Sequence, residues 1–185
     1  MLRVVAGSLK NKLIPVIKNA EFRPSTTKAR QAIFSIIYSM GIDLEEANVL
    51  DMFCGSGSLG IEALSRGAKF ASFIDINAAQ LTLLKKFLDE AKLSFEVLNQ
   101  DVRNQIYTNK KYDIVFMDAP YYQDLNFDAL VNLDKSKILA ENSLLIIETA
   151  YNEELKIPDA YLKIDERRYS KNKITFVRRA LYGQS

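Results

Sequence analysis

Four aspartates fall at or just beyond the ends of apolar, strand-like runs: Asp51, Asp75, Asp101 and Asp118. A carboxylate at the mouth of a buried strand costs free energy unless something uses it. The first of them opens the stretch Asp51-Met-Phe-Cys-Gly55-Ser-Gly57-Ser-Leu-Gly60, with glycines at G-x-G-x-x-G spacing after a strand and at the start of a helix. Such a turn lets a ligand approach the backbone and presents helix N-terminal amides to it. Asp75 lies 20 residues beyond Gly55, at the end of the next strand, where an acid accepts hydrogen bonds from ribose hydroxyls or caps the helix that begins near Asn77. The last, Asp118, is followed by Ala119, Pro120 and two tyrosines, Tyr121 and Tyr122.

The remaining composition narrows the chemistry. The chain has no histidine and one cysteine, Cys54, which removes His-based triads, His-ligated zinc and thiolate clusters; no metal site is expected. Without a histidine to activate it, Cys54 reads as a small packing residue in the glycine turn. A diphosphate on that turn would be repelled by Asp51 before it and by Asp101 after the third strand. A positively charged nucleoside without phosphates suits the acids better, and S-adenosylmethionine is such a molecule. This favours a methyl donor over nicotinamide; binding of NADH but not S-adenosylmethionine would point back to an oxidoreductase.

The elements that must position these residues follow from hydrophobic patterning. Leu2–Ala6 and Lys12–Ile17 read as a short hairpin. Ser25-Thr-Thr27 offers N-caps to an amphipathic helix with Ala29, Ile33, Ile36, Ile37 and Met40 on one face, stopped by Gly41. Strands are expected at Val49–Phe53, Phe70–Ile76, Ser94–Leu98, Ile114–Met117 and Ser143–Glu148, with helices at Ser58–Arg66, Ala78–Ala91 and Asn126–Leu133. Alternation of this kind specifies an α/β fold whose mostly parallel sheet is covered on both faces. Tyr161–Tyr169 and Lys173–Ala180 then form a terminal antiparallel hairpin through Ser170-Lys-Asn172.

At 185 residues and 48% apolar, the chain suits one full-sized domain with a short extension. One cysteine and no apolar run of about 18 residues lead us to expect a cytoplasmic protein that does not engage a membrane. The net charge of +2 hides an asymmetry. Residues 1–30 carry seven basic side chains and one acid, residues 167–179 carry six and none, and the stretch between them is acidic. Basic ends suit a polyanion held by phosphate neutralisation, and equally a pair of solvated faces.

DMFCGSGSLGIEALSRGA resembles the first motif of Class I S-adenosylmethionine-dependent methyltransferases, and DAPY resembles their [DNS]-P-P-[YFW] signature for methylating an exocyclic or amide nitrogen. More narrowly, RVVAG, LKNKL and RPSTTKARQAIF are similar to the RsmD family of bacterial 16S rRNA guanine-N2 methyltransferases, from Arg3 to about Ala180. The resemblance implies a Rossmann-like methyltransferase domain over residues 25–185 and an RNA-contacting hairpin over 1–24. It places Asp51, Phe53, Gly55, Ser56, Gly57 and Gly60 around the methionine and ribose of the donor, Asp75 at the ribose hydroxyls and Asp101 at the adenine amino group, with Ile76 and Val102 also in the donor site. The helix opened by Arg23-Pro-Ser-Thr-Thr27 would close over the cofactor.

The same resemblance assigns Asp118, Ala119, Pro120 and Tyr121 to catalysis on the target guanine, with Tyr122 packing on the loop. Arg3, Lys10, Lys12, Arg23 and Arg30 would contact RNA, 16S rRNA within a small ribosomal subunit or an assembly intermediate, and the protein would act as a monomer. Arg23 and Arg30 could instead pair with Glu62 or Glu148. Ala119 stands where the family has a first proline, which implies a less rigid loop and slower turnover. Thr27, Lys28 and Gln31 also depart from the family pattern. An amino-methyltransferase for DNA adenine N6 or protein glutamine, or a catalytically weak RNA-binding relative, would carry the same scaffold.

Overall fold

The computed structural model describes residues 1–17, 26–169 and 171–180. The expectations at Arg23, at Ser25 and at Ser170 lie outside the described residues. In chain order the elements are α1 (Thr27–Ser39), β1 (Asn48–Met52), α2 (Ser58–Ser65), β2 (Phe70–Asp75), α3 (Ala78–Glu90), β3 (Phe95–Asn99), β4 (Tyr112–Met117), α4 (Leu125–Ser136), β5 (Leu139–Ala150), β6 (Tyr161–Arg168) and β7 (Asn172–Arg179). They build a seven-stranded sheet in the order β3-β2-β1-β4-β5-β7-β6. The first five strands are parallel neighbours, and β7 joins β5 and β6 antiparallel. This is the expected Rossmann-like architecture, mostly parallel with a C-terminal antiparallel hairpin.

Alternation along each strand explains why both faces are covered. Val49, Ile114, Ile146 and Phe176 point to a core shared with α1, α2 and α3, while Leu50, Val115, Ile147 and Val177 point to a second core beneath α4. These side chains are essentially inaccessible, and burial of each contributes roughly 1.5–3 kcal/mol before entropy is counted. Thr26 caps α1 by accepting the Ala29 amide at 3.2 Å, and the chain reverses at Gly41 with φ +72°. Ala29, Ile33 and Ile37 are buried as the periodicity predicts, with Ile36 and Met40 packed at the margin.

Two elements differ from their sequence patterns. β5 starts at Leu139, not Ser143, because the polar Ala140-Glu-Asn142 stretch forms a register irregularity opposite the start of β4 instead of a turn. The N-terminal hairpin reduces to one antiparallel bridge, Arg3 with Leu13, flanked by Val4 N–H to Lys12 O at 3.1 Å and Ile14 N–H to Leu2 O at 3.0 Å. Its outer amides are taken by side chains of α2: Glu62 accepts from Val5 and Ala6 at 2.8 and 2.9 Å, and Ser65 Oγ accepts from Leu9 at 2.9 Å. Val4, Leu9 and Ile14 join the core of the sheet, so the arm is packed on the domain.

The strand order fixes where a site can form. β1 and β4 are neighbours, with Met52 paired to Met117, but the chain runs outward from them in opposite directions. Their C-terminal ends border the crevice in which open α/β sheets bind ligands.

Candidate active site

A cleft of about 980 Å³ opens along the C-terminal ends of β1 to β4. Asp51, Phe53, Gly55, Ser56, Asp75, Ile76, Asp101, Val102 and the whole of Asp118-Ala-Pro-Tyr121 line it. Each strand therefore delivers one acid to the same cleft. Gly57 and Gly60 shape the wall from behind. A Cβ on Gly57, whose φ is +70°, would meet Leu84 at 2.7 Å, and one on Gly60 would meet the Phe73 ring at 2.4 Å. Only glycine lets α2 approach β2 and α3 this closely.

The turn after β1 is held by carboxylates. Asp51 Oδ2 accepts the Gly60 amide at 2.8 Å, and Asp75 Oδ2 accepts the Gly55 amide at 2.7 Å. The second oxygen of Asp75 accepts the Asn77 amide at 2.8 Å, and Asn77 in turn caps α3 by accepting from Gln80 at 3.1 Å. The cap of α3 thus belongs to Asn77, and Asp75 ties the glycine turn to the start of that helix. Phe53, at φ +56°, is a left-handed non-glycine residue beside the bonded turn. Strain of this kind persists where surrounding structure overdetermines it.

The electrostatics of the cleft are those of crowded, buried acids. Burial, with the charge of Asp75 adding and the Gly60 hydrogen bond opposing, raises the Asp51 carboxyl to about 8. Burial also pushes Asp118 well above the usual carboxylate range, and the charges of Glu148 and Asp51 push it further. Glu148, buried on β5, accepts from Asn172 Nδ2 and, at 3.4 Å, from the Tyr121 hydroxyl. The Cys54 thiol is driven upward by burial and by the charges of Asp51 and Asp75, so it is held as the neutral thiol.

Two residues that line the cleft, and a third whose charge acts on Asp118 from behind it, escape sequence reasoning. Arg103 grips Asp101 through its backbone amide at 2.9 Å and its guanidinium, at 3.0 Å from Oδ1 and 2.5 Å from Oδ2. These bonds hold the Asp101 carboxyl below its ordinary range. Gln80 is fully buried and clamps the N-terminal arm to the cleft wall, accepting from Ile17 N at 3.0 Å and donating to Pro15 O at 3.0 Å. Glu148, which the sequence offers only as an ion-pair partner, borders Asp118. Arg103 carries a weak signal, an arginine two residues past an acid; Gln80 and Glu148 carry none, since their partners are 63 and 24 residues away.

The basic residues divide. Arg3, Lys10 and Lys12 are exposed on the arm, with the Arg3 guanidinium donating to Asn11 O at 2.7 Å. Arg30 is wholly buried, donates to Arg3 O at 2.8 Å and senses the charge of Glu62, so it braces the arm and is withdrawn from any surface that RNA could touch. The C-terminal basic run is mostly engaged within the sheet. Arg167 pairs with Asp165, Arg168 with Glu166 and Arg179 with Asp134, and Lys173 donates to Glu153 O. Tyr122 is exposed, with its ring edge against Tyr121 at 6.4 Å between centroids.

A family profile described as Conserved hypothetical protein 95 matches residues 2–178. Ribosomal RNA small subunit methyltransferase D of Haemophilus influenzae is 31% identical, covering 90% of this chain and 88% of its own. The chain belongs to the RsmD family. A methylase of Rickettsia prowazekii, RP545, is likewise 31% identical across 100% of this chain and 95% of its own length. Among solved structures, the Escherichia coli protein yhhF superposes with a TM-score of 0.82 at 27% identity, over 96% of this chain and 97% of that one.

Proposed function

We propose that this protein transfers a methyl group from S-adenosylmethionine to the exocyclic N2 of a guanine in small-subunit rRNA. The observation that carries the reading is the meeting, in one cleft of an RsmD-family fold, of the Asp118-Ala-Pro-Tyr121 loop with Asp51, Asp75 and Asp101. The acids suit this donor on physical grounds. Asp118 is raised by burial and by the charges of Glu148 and Asp51, and Asp51 by burial and the charge of Asp75, so a cationic ligand relieves this crowding where a diphosphate would worsen it. Asp75 and Asp101 suit the ribose hydroxyls and the adenine amino group, and Ile76, an apolar side chain left 74% exposed at the rim, offers a face to the base.

Bound S-adenosylmethionine supplies an electrophilic methyl group on a positively charged sulfur. The chain's own work is to prepare the nucleophile. Guanine N2 is a poor one because its lone pair is delocalised into the ring. The Asp118 carboxylate and the Ala119 carbonyl accept hydrogen bonds from the two amino hydrogens, which turns the lone pair toward the methyl and stabilises the positive charge the nitrogen acquires. Tyr121 stacks on the extruded base, worth roughly 1–3 kcal/mol. The proton leaves after transfer, to Asp118 or to water. Exposed Lys10, Lys12 and Arg3 supply phosphate contacts from the arm.

The test is tritium transfer from labelled S-adenosylmethionine to small ribosomal subunits from cells lacking the enzyme, with nucleoside analysis. Label in N2-methylguanosine is the expected result. Donor binding without transfer to the subunit, or label in another nucleoside, overturns the substrate assignment.

A further inference from the structure

The loop that carries Asp118 and Tyr121 leaves β4 in an unusual backbone state. Tyr122 and Asp124 both sit at positive φ, +60° and +52°, although neither is glycine. Aspartate visits that region with little difficulty, but for a tyrosine it costs free energy that surrounding structure must offset. Both residues are held from the segment that follows β5. Glu153 Oε1 accepts the Tyr122 amide at 2.9 Å, and Lys156 Nζ donates to Asp124 at 2.9 Å. Glu153 is itself anchored three times more: its Oε2 accepts the Ala150 amide at 3.1 Å, its own amide donates to Ala150 O at 3.0 Å, and its carbonyl accepts from Lys173 Nζ at 2.7 Å. The ion pair with Lys156 is solvent-exposed and carries little by itself. The Glu153 bond is the stronger brace, because an ionised acceptor takes a backbone donor whose conformation it dictates.

We infer that Glu153 is a positioning residue for the base-receiving loop. It reaches the substrate only through the Tyr122 backbone, and it fixes the angle at which the neighbouring Tyr121 ring and Ala119 carbonyl face the cleft. The inference rests on the proposed function and gives it a further part. In the family pattern two prolines stiffen this loop; here Ala119 stands in place of the first, and Glu153 supplies stiffness from outside.

The experiment compares Glu153→Ala with the parent enzyme in the subunit methylation assay, alongside donor affinity by calorimetry and hydrogen exchange at the Tyr122 amide. Glu153→Ala is expected to lower kcat about tenfold, leave donor affinity within twofold, and deprotect the Tyr122 amide while the β5 amides stay protected. Glu153→Gln, which keeps one acceptor oxygen, should recover part of the loss. Tyr122→Gly placed in the Glu153→Ala background should recover kcat as well, since glycine adopts positive φ unaided. Unchanged kcat in Glu153→Ala overturns the inference, as does a loss that falls equally on donor affinity and on β5 protection. If the parent enzyme binds donor but methylates no guanine, the functional reading fails; retained protection of Tyr122 in Glu153→Ala would then overturn the brace separately.

Discussion

The Asp51 carboxylate accepts the amide of Gly60 at 2.8 Å, nine residues on, across the turn between β1 and α2. One bond thus joins the strand end to the first turn of the helix and draws α2 onto the Phe73 ring. A methyl group at position 60 would stand 2.4 Å from Phe73 and 3.1 Å from the Asp51 oxygen. Gly60→Ala is therefore expected to cost about 1–3 kcal/mol, as overpacking does. It should also weaken donor binding, because α2 must move away from the turn. Thermal unfolding and calorimetry with S-adenosylmethionine check both; an unchanged melting temperature would contradict the packing.

Asp118 should separate binding from chemistry. Its carboxylate lies beyond the glycine turn, whose bonds are made by Asp51 and Asp75. Asp118→Ala is expected to lower kcat at least about a hundredfold, the usual scale for losing a group that stabilises transition-state charge. Donor affinity should stay within a few-fold. Full activity in Asp118→Ala, measured by label transfer, would remove it from the catalytic role.

The raised acids predict a definite pH dependence. Asp51 titrates at about 8 in the folded chain against an ordinary value of 3.8. The folded state then binds more protons than the unfolded state between those values. The stability this group contributes is fully present below about pH 4 and is lost as pH rises through about 8. A cationic donor prefers the ionised acids, so its affinity should rise with pH over the upper part of that range and its binding should release protons. Calorimetry in two buffers of different ionisation enthalpy reads the released protons. In Asp51→Asn both the release and the stability slope should diminish; equal slopes would assign them to other groups.

Local pattern makes much of this molecule legible in its sequence. Apolar runs, glycine stops and the Thr26 cap mark the elements, and acids at strand ends mark the cleft lining at Asp51, Asp75, Asp101 and Asp118. What stays hidden depends on partners distant in the chain. The pattern starts β5 at Ser143 because a polar bulge inside a long strand looks like a turn. The sequence leaves Arg30 open between phosphate and a partner such as Glu62 or Glu148, and its burial beside Glu62 is decided only once α1 and α2 are packed. Arg179 reads as part of a basic patch for the same reason, since Asp134 reaches it only in the folded sheet, whereas Arg167 and Arg168 pair locally with Asp165 and Glu166 two residues before them.

This redistribution of charge leaves the N-terminal arm as the polyanion-binding surface to test. Lys10 and Lys12 are exposed, and the arm that bears them is fastened to α2 through Glu62 and Ser65. Replacing both lysines by alanine removes charge without touching those fastenings, so stability should change by less than about 0.5 kcal/mol. For every phosphate no longer neutralised, the slope of log affinity against log salt should fall by about 0.9 on a duplex and about 0.7 on a single strand. The double variant should therefore bind rRNA more weakly at low salt and show a smaller drop in affinity as salt rises. Arg167 and Arg179 supply the contrast, since their charges are already paired and their removal should leave the salt slope nearly unchanged. A parallel drop in slope for both sets, measured by filter binding across salt concentrations, would return the C-terminal run to the RNA interface.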